Sequence, residues 1–278
     1  RVASESAGKE CDNMLKVLVN GADGRMGSQV VKAVYDDKEL ELVGGVSISH
    51  VGEDAGVFAG LGTLGMPIRA GLGQALDDLK PDVVVDFTSP KAIFENAKTV
   101  IEHGVNMVVG TTGLTAEQRT ELGKLAEAKK TSIFIAPNFG LGAVLMMKIS
   151  TEVAKYLPDV EIIEMHHNNK LDAPSGTAIM TANQIAAARK EAGIEPAPDK
   201  THESLDGARG AKVDGITIHS VRLPGYVAHQ QVLFGGYGEY LTIRHDSIDR
   251  KSFMPGVILA VKKVGSYPGL TFGLENFL

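Results

Sequence analysis

The feature that most constrains this chain is a series of glycines set between a short β-branched run and a helical one. Lys16–Asn20 reads as a strand, Gly21-Ala22-Asp23-Gly24-Arg25-Met26-Gly27 follows it directly, and Ser28–Tyr35 continues with helical character. Glycines spaced in this way allow a tight turn, let backbone N–H groups approach an anion, and lead into a helix whose partly positive start favours that anion. The placement after the first strand predicts a dinucleotide site rather than a plain strand-to-helix turn.

The same placement predicts the architecture. Strand candidates recur at Leu40–Ser47, Asp82–Phe87, Asn106–Gly110 and Ser132–Ala136, with helix candidates near 25–36, 72–79, 91–103, 115–129 and 140–156 between and after them. Alternation of this kind is the pattern of βαβ units. Val83-Val84-Val85 and Met107-Val108-Val109 are apolar on both faces, as buried parallel strands require. The first half is therefore expected to be a Rossmann-like, doubly wound α/β sheet. After residue 158 the style changes. A strand beginning at Glu161 runs into a polar cluster, a helix is predicted at roughly 175–192, and residues 193–212 read as a long loop. Gly215–Leu223, His229–Gly235 and Glu239–His245 follow without intervening helices, so antiparallel pairing is predicted in a second, α+β domain with a mainly antiparallel or mixed sheet. Residues 252–263 read as one more helix.

Composition narrows the function classes. With 278 residues, 44% hydrophobic and 22% charged, the chain is long and apolar enough to fold around a core. Lys and Arg number 28 against 34 Asp and Glu, a net charge of −6, so there is no overall basic field to hold a nucleic-acid backbone. The apolar runs Val83–Val85 and Val257–Val261 fall far short of the roughly 20 residues that span a bilayer. No nucleic-acid or membrane partner is expected, and a cytoplasmic location is. Cys11 is the single cysteine, which excludes an intrachain disulfide and a cysteine-based zinc site. Residues 1–13 are small, polar and aperiodic and lack the apolar core of a secretory signal, so Met14 reads as the native start and 1–13 as a cloning remnant or disordered leader.

Several segments carry candidate chemistry. The end of the second strand, Val43–His50, holds no carboxylate to grip a ribose, so a 2′-phosphate is not repelled there. Ser47, Ser49, His50 and Arg25 are candidate donors to it. Asp86-Phe87-Thr88-Ser89-Pro90 and Gly110-Thr111-Thr112-Gly113 end the third and fourth strands, where open α/β sheets bind ligands, and read as nicotinamide-side loops. The densest stretch runs from Glu164 to Ala178 and contains His166, His167, Lys170, Asp172 and Pro174-Ser175-Gly176-Thr177. Adjacent histidines on a strand face opposite ways, so only one of the two is expected to do the chemistry. A histidine suits proton donation near neutral pH, and a lysine supplies a compact positive charge. Ser175 reads as the cap of a helix whose first N–H groups, beside the Thr177 hydroxyl, form a carboxylate cradle. The acids and histidines lack zinc-site spacing, and no metal is expected.

Taken together, these motifs resemble the 4-hydroxy-tetrahydrodipicolinate reductase (dihydrodipicolinate reductase) family. The resemblance is carried by Gly21–Gly27, Asp86-Phe87-Thr88, Gly110–Gly113, Ala136-Pro137-Asn138-Phe139 and, most specifically, Glu164-x-His166-His167-x-x-Lys170-x-Asp172-Ala173-Pro174-Ser175-Gly176-Thr177-Ala178. It implies reduction of a cyclic imine dicarboxylate with NADH or NADPH in lysine and diaminopimelate biosynthesis, by a homotetramer. It further implies a dinucleotide-binding domain at 14–137 plus 251–278 and a substrate-binding and oligomerisation domain at 138–250, with the chemistry between them. By the family pattern His166 is the proton donor and Lys170 a second acid or charge stabiliser. His167, Ser175, Gly176 and Thr177 hold the substrate. Gly21, Ala22, Asp23, Gly24, Arg25 and Met26, with Ser47, Phe87, Gly110, Thr111, Thr112, Ala136, Pro137, Asn138 and Phe139, hold the cofactor. Ser47 stands where many members carry an acid, which leaves the choice between NADH and NADPH open.

Three other readings are weighed against it. A dinucleotide-sensing regulator calls for a DNA-binding or interaction module that the chain does not show. A reductase of another imine or keto acid fits the polar cluster alone. An aldehyde dehydrogenase needs a thiolate, and Cys11 precedes the first strand.

Overall fold

The computed structural model describes residues 14–278; the leader expected at 1–13, with Cys11, lies outside the described residues. In chain order the elements are β1 (Leu15–Asn20), α1 (Gly27–Asp36), β2 (Leu40–Val46), α2 (Ala55–Phe58), α3 (Leu72–Leu79), β3 (Val83–Asp86), α4 (Ile93–Glu102), β4 (Asn106–Val109), α5 (Ala116–Lys129), β5 (Ser132–Ile135) and α6 (Leu141–Val153). They continue as β6 (Asp159–His166), α7 (Gly176–Ala192), β7 (Ala211–Val213), β8 (Ile216–Arg222), β9 (Ala228–Gly236), β10 (Glu239–Ser247), α8 (Met254–Val264) and β11 (Gly269–Phe272). The chain divides into two compact units. One runs to Phe139 and resumes over Phe253–Leu278; the other is Gly140–Ser252.

The first unit is a six-stranded sheet in the order β11-β5-β4-β3-β1-β2, every pairing parallel. Both faces of β3 and β5 are buried along their whole length, which is why their sequences are apolar without alternation. Leu18, Val84, Met107 and Ile133 from four strands pack with Ile93 and Ile101 of α4 and Leu122 of α5. Each such burial contributes roughly 1.5–3 kcal/mol before entropy is counted. Local signals set the helix ends: Thr115 caps α5 and Gln118 reaches back to the Thr115 N–H, a reciprocal capping box. The sequence reading of a doubly wound parallel sheet holds. It lacked the edge strand β11, which pairs with β5 from Gly269↔Ser132 to Phe272↔Ile135. Phe277 anchors the tail behind it, its ring stacked on Phe134 with centroids 4.3 Å apart.

The second unit is a mixed five-stranded sheet in the order β10-β9-β6-β8-β7. Val160, Ile162, Ile216, Ile218, Val232 and Phe234 form its core with Met146 and Met147 of α6 and Ala182 and Ile185 of α7. The expected antiparallel pairing holds for β9 with β10 but fails for β8. β6 lies between β8 and β9, parallel to the first and antiparallel to the second. The apolar Val160 and Ile162 take the centre of the sheet, so the segment around Gly225 carries the chain past β6 rather than closing a hairpin. The stretch read as loop to residue 212 contains β7, antiparallel to β8.

Candidate functional site

In the first unit, Gly21 takes φ +83°, a left-handed conformation that favours glycine. A Cβ there would stand 2.5 Å from the Phe87 carbonyl oxygen, and one at Gly27 would stand 1.8 Å from the Gly21 carbonyl oxygen. The loop is thus pressed onto β3 on one side and its own helix on the other. Gly21 and Ala22 N–H donate to the Val46 carbonyl, and Gly24 N–H donates to Gly21. No side chain caps α1; the Ser28 N–H donates to the Gly24 carbonyl at 2.9 Å, so the helix start is closed by its own loop backbone and no side chain occupies the place of an anion there.

Beside this loop lies a cleft of about 360 Å³ lined by Asn20, Gly21, Gly24, Ser47, Phe87 and Thr88 among others. Arg25 is exposed, Met26 half-buried and Ala22 buried. Asp23 bonds His50 Nδ1 at 2.9 Å and is also hydrogen-bonded to Ser47. Burial raises the Asp23 pKa, but these two hydrogen bonds outweigh it and hold the carboxyl below its usual range. The bond to Asp23 in turn raises His50. His50 is therefore engaged with Asp23, and the Ser47 hydroxyl accepts the Ser49 N–H at 3.2 Å.

The carboxyl ends of β1, β3 and β4 meet at the fully buried Asp86. Its Oδ1 accepts the Thr88 N–H at 3.1 Å, the Thr88 hydroxyl at 2.8 Å and the Thr111 hydroxyl at 2.7 Å. Its Oδ2 accepts Asn20 Nδ2 at 2.8 Å and Asn96 Nδ2 at 3.0 Å. A Cβ at Gly110 would lie 2.1 Å from the Phe87 ring, so that ring rests directly on the β4 end. Phe139, which is buried, stacks obliquely on the half-buried Phe87 with centroids 5.8 Å apart. Ala136 is buried and bonds Val109, whereas Thr112 and Pro137 are exposed and Asn138 is half-buried. The residues present fit a dinucleotide: glycines where side chains would fill the cradle, an uncapped helix start, and a flat platform of threonine and phenylalanine. Of the residues expected to hold a cofactor, Gly21, Asp23, Gly24, Ser47 and Phe87 share the cleft; Gly110 and Thr111 join them through Phe87 and Asp86.

In the second unit the polar cluster is organised by a residue to which the sequence reading gave no role. Glu164 is fully buried on β6. Its Oε2 lies 2.6 Å from His166 Nδ1, and Arg222 of β8 grips both oxygens at 2.8 and 2.7 Å. The Ser175 N–H donates to Oε1 at 3.1 Å, and the Ser175 hydroxyl caps α7 by accepting the Ala178 N–H at 3.2 Å. Burial acts to raise the Glu164 pKa, but hydrogen bonds from His166, Arg222 and Ser220 prevail and hold it at about 2. Arg222 also donates to the Asp172 carbonyl at 2.8 Å, tying the intervening loop to the sheet. A usable signal was present: residues two apart on a strand share a face, which puts Glu164 and His166 on one side.

Lys170 is bound by both oxygens of Asp172 at 2.6 and 2.8 Å, and this pairing lowers the Asp172 pKa. His167 is exposed. Gly176 is exposed at the first position of α7, where a Cβ would have nothing within 4 Å, and Thr177 follows it. The second unit therefore brings together a histidine with one nitrogen fixed, a lysine and a capped helix start, a set that can deliver a proton and hold a carboxylate. Among the described residues no group of three or more His, Cys, Asp or Glu side chains could hold a metal ion. No described helix is long and apolar enough to cross a membrane.

Residues 15–139 match the family model "Dihydrodipicolinate reductase, N-terminus", and residues 142–278 match "Dihydrodipicolinate reductase, C-terminus". The chain is 52% identical over 264 residues to a 4-hydroxy-tetrahydrodipicolinate reductase of Listeria monocytogenes serotype 4b, covering 95% of this chain and 100% of the relative. It is 47% identical over 265 residues to the reductase of Desulfitobacterium hafniense, covering 95% and 98%. A dipicolinate-bound dihydrodipicolinate reductase from Paenisporosarcina sp. TG-14 superposes with a TM-score of 0.85 at 44% identity, over 95% of this chain and 100% of that one. On these matches to both halves, the chain belongs to the dihydrodipicolinate reductase family.

Proposed function

We propose that this protein reduces the cyclic imine dicarboxylate formed from 4-hydroxy-tetrahydrodipicolinate to tetrahydrodipicolinate, in lysine and diaminopimelate biosynthesis. It is an oxidoreductase dependent on a nicotinamide dinucleotide. The observation that carries the assignment of roles is the fixed imidazole of His166, held by Glu164 in one network with the start of α7. A family member of 44% identity is described with dipicolinate bound, a flat ring with two carboxylates.

The unit running to Phe139 and resuming at Phe253 binds the dinucleotide, through the glycine loop, the Ser47 end of β2 and the platform built on Asp86. The bound reduced nicotinamide supplies a hydride. Gly140–Ser252 binds the substrate. His166 holds the transferable proton at Nε2, because its Nδ1 faces Glu164, and quenches the electron density left on the substrate. Gly176 and Thr177 at the start of α7 receive a carboxylate, and His167 and Lys170 add positive charge. Lys170 does so by exchanging Asp172 for the substrate carboxylate.

Both NADH and NADPH serve, since no acid stands at position 47 to repel a 2′-phosphate. The protein acts in the cytoplasm as a homotetramer. The sheet face carrying Glu161, His219 and the 84%-exposed Tyr240, opposite the core of the second unit, is the assembly face.

Initial rates of NADH and NADPH loss, with and without freshly generated substrate, test the reading. Turnover that needs the substrate and is inhibited by pyridine-2,6-dicarboxylate is expected. Dinucleotide binding without turnover would instead mark a sensor, and turnover only with other keto acids another reductase.

A further inference from the structure

We propose that Glu164 is a positioning residue for proton delivery, and that it orients His166 and the anion-binding start of α7 from one carboxylate; this rests on the role of His166 given above. Glu164 is 0% exposed and touches no solvent. Its two oxygens are shared: His166 Nδ1 lies on Oε2, the Ser175 N–H on Oε1 and the Arg222 guanidinium on both, with the Ser220 side chain a further partner. An ionised carboxylate only accepts hydrogen bonds, so the imidazole nitrogen that faces it carries a hydrogen. This fixes Nδ1–H as the neutral tautomer and leaves Nε2 as the nitrogen that takes up and releases the catalytic proton.

Arg222 keeps the carboxylate ionised and aimed. It approaches both oxygens from β8, 58 residues along the chain, and its donation to the Asp172 carbonyl holds the segment carrying Lys170. A pair of buried opposite charges is poor evidence of stabilisation alone, since apolar replacements often do as well. Its placement between a proton donor and an anion cradle gives it a reason to persist.

The replacement Glu164→Gln makes the inference sharp. The amide has one acceptor oxygen and one donor nitrogen. The Ser175 N–H and Arg222 Nη2 both require an acceptor at Oε1, against Arg222 Nη1 alone at Oε2, so the amide nitrogen falls to the Oε2 position and faces His166, while Nη1 keeps the Val221 carbonyl as its acceptor. Nδ1 must then accept, and the neutral ring changes to the Nε2–H tautomer. The fold is kept with the wrong nitrogen protonated, a fault that lowers kcat about 10⁴-fold in the Ser-His-Asp triad.

The test is nitrogen-15 NMR of the His166 ring in the full protein, together with steady-state kinetics. Wild-type protein is expected to show Nδ1–H in the neutral form. Glu164→Gln is expected to show Nε2–H, with kcat down at least about 100-fold, the lower end of what a positioned proton donor contributes, and the KM for reduced dinucleotide changed by less than about twofold. Should the single variant fail to fold, Glu164→Gln/Arg222→Met removes both charges, and Ser175 still sets the amide. A wild-type ring in the Nε2–H form, or a variant whose tautomer or kcat matches wild type, overturns the role of Glu164. Absence of turnover by wild type overturns instead the reading of the function on which it rests.

Discussion

The Thr111 hydroxyl and the Asp86 carboxylate, 2.7 Å apart, join the ends of β3 and β4 without any positive charge among the partners of that carboxylate. Five neutral donors from four segments converge on Asp86. In Asp86→Asn, one oxygen becomes a donor that faces two asparagine amides or two threonines, and some of these groups lose their partner. The expected cost is about 1–3 kcal/mol in denaturant unfolding. Because Thr88 and Phe87 move with it, the dinucleotide Kd is expected to rise about tenfold, equivalent to about 1.4 kcal/mol. An unchanged Kd from dinucleotide titration would detach Asp86 from the cofactor platform.

Gly27 and Gly176 make opposite predictions although both begin helices. A methyl group at Gly27 collides with the Gly21 carbonyl at 1.8 Å, whereas one at Gly176 meets nothing within 4 Å. Gly27→Ala is expected to destabilise by about 1–3 kcal/mol and to weaken dinucleotide binding, through overpacking. Gly176→Ala is expected to leave unfolding within about 0.5 kcal/mol while raising the substrate KM, because the methyl group projects into the space proposed for a substrate carboxylate. Equal thermal stability of the two variants contradicts the packing argument.

Glu164 sets an acid limit on stability. Its carboxyl is held at about 2 in the folded protein against about 4.5 for the free group, so folding favours the charged form. The stabilisation is fully present above about pH 4.5 and is lost as pH falls toward 2. A shift of that size corresponds to about 3 kcal/mol. Denaturant unfolding of wild type and of Glu164→Gln/Arg222→Met, measured from pH 6 to 3, is expected to show a shallower acid decline in the double variant. Parallel curves contradict the assignment.

His166→Gln is expected to lower kcat far more than it raises the substrate KM, since it removes a proton transferred only in the reaction. Lys170→Ala is expected to harm both kcat and KM, because in the proposed role its charge serves binding and transition state alike. Unchanged steady-state parameters in either variant contradict the role given to that residue.

Much of this was legible before any coordinates, and the exceptions share a cause. The strands at Val83–Asp86 and Asn106–Val109 announce themselves because burial on both faces leaves an apolar run with sharp ends. The capped start of α7 at Ser175 is local chemistry and was read correctly. β7 and β11, of three and four residues, are too short to show a period. The position of β6 between β8 and β9 depends on which strand most needs two neighbours, which no local window reports. Asp86 with Asn20 and Glu164 with Arg222 are partners 66 and 58 residues apart, so the motifs that contain the two acids do not show which groups each one holds. Only the two-residue spacing of Glu164 and His166 on a strand carried a hint.

The central claim is that this chain passes a hydride from a reduced nicotinamide to a cyclic imine dicarboxylate, with His166 supplying the proton. The most direct measurement is the initial rate of NADPH oxidation by wild type and His166→Gln with freshly generated substrate. Substrate-dependent oxidation by wild type and a fall of about 100-fold or more in kcat for the variant, with dinucleotide affinity retained, is the predicted result. Equal rates in the two proteins, or oxidation that does not depend on substrate, would contradict it.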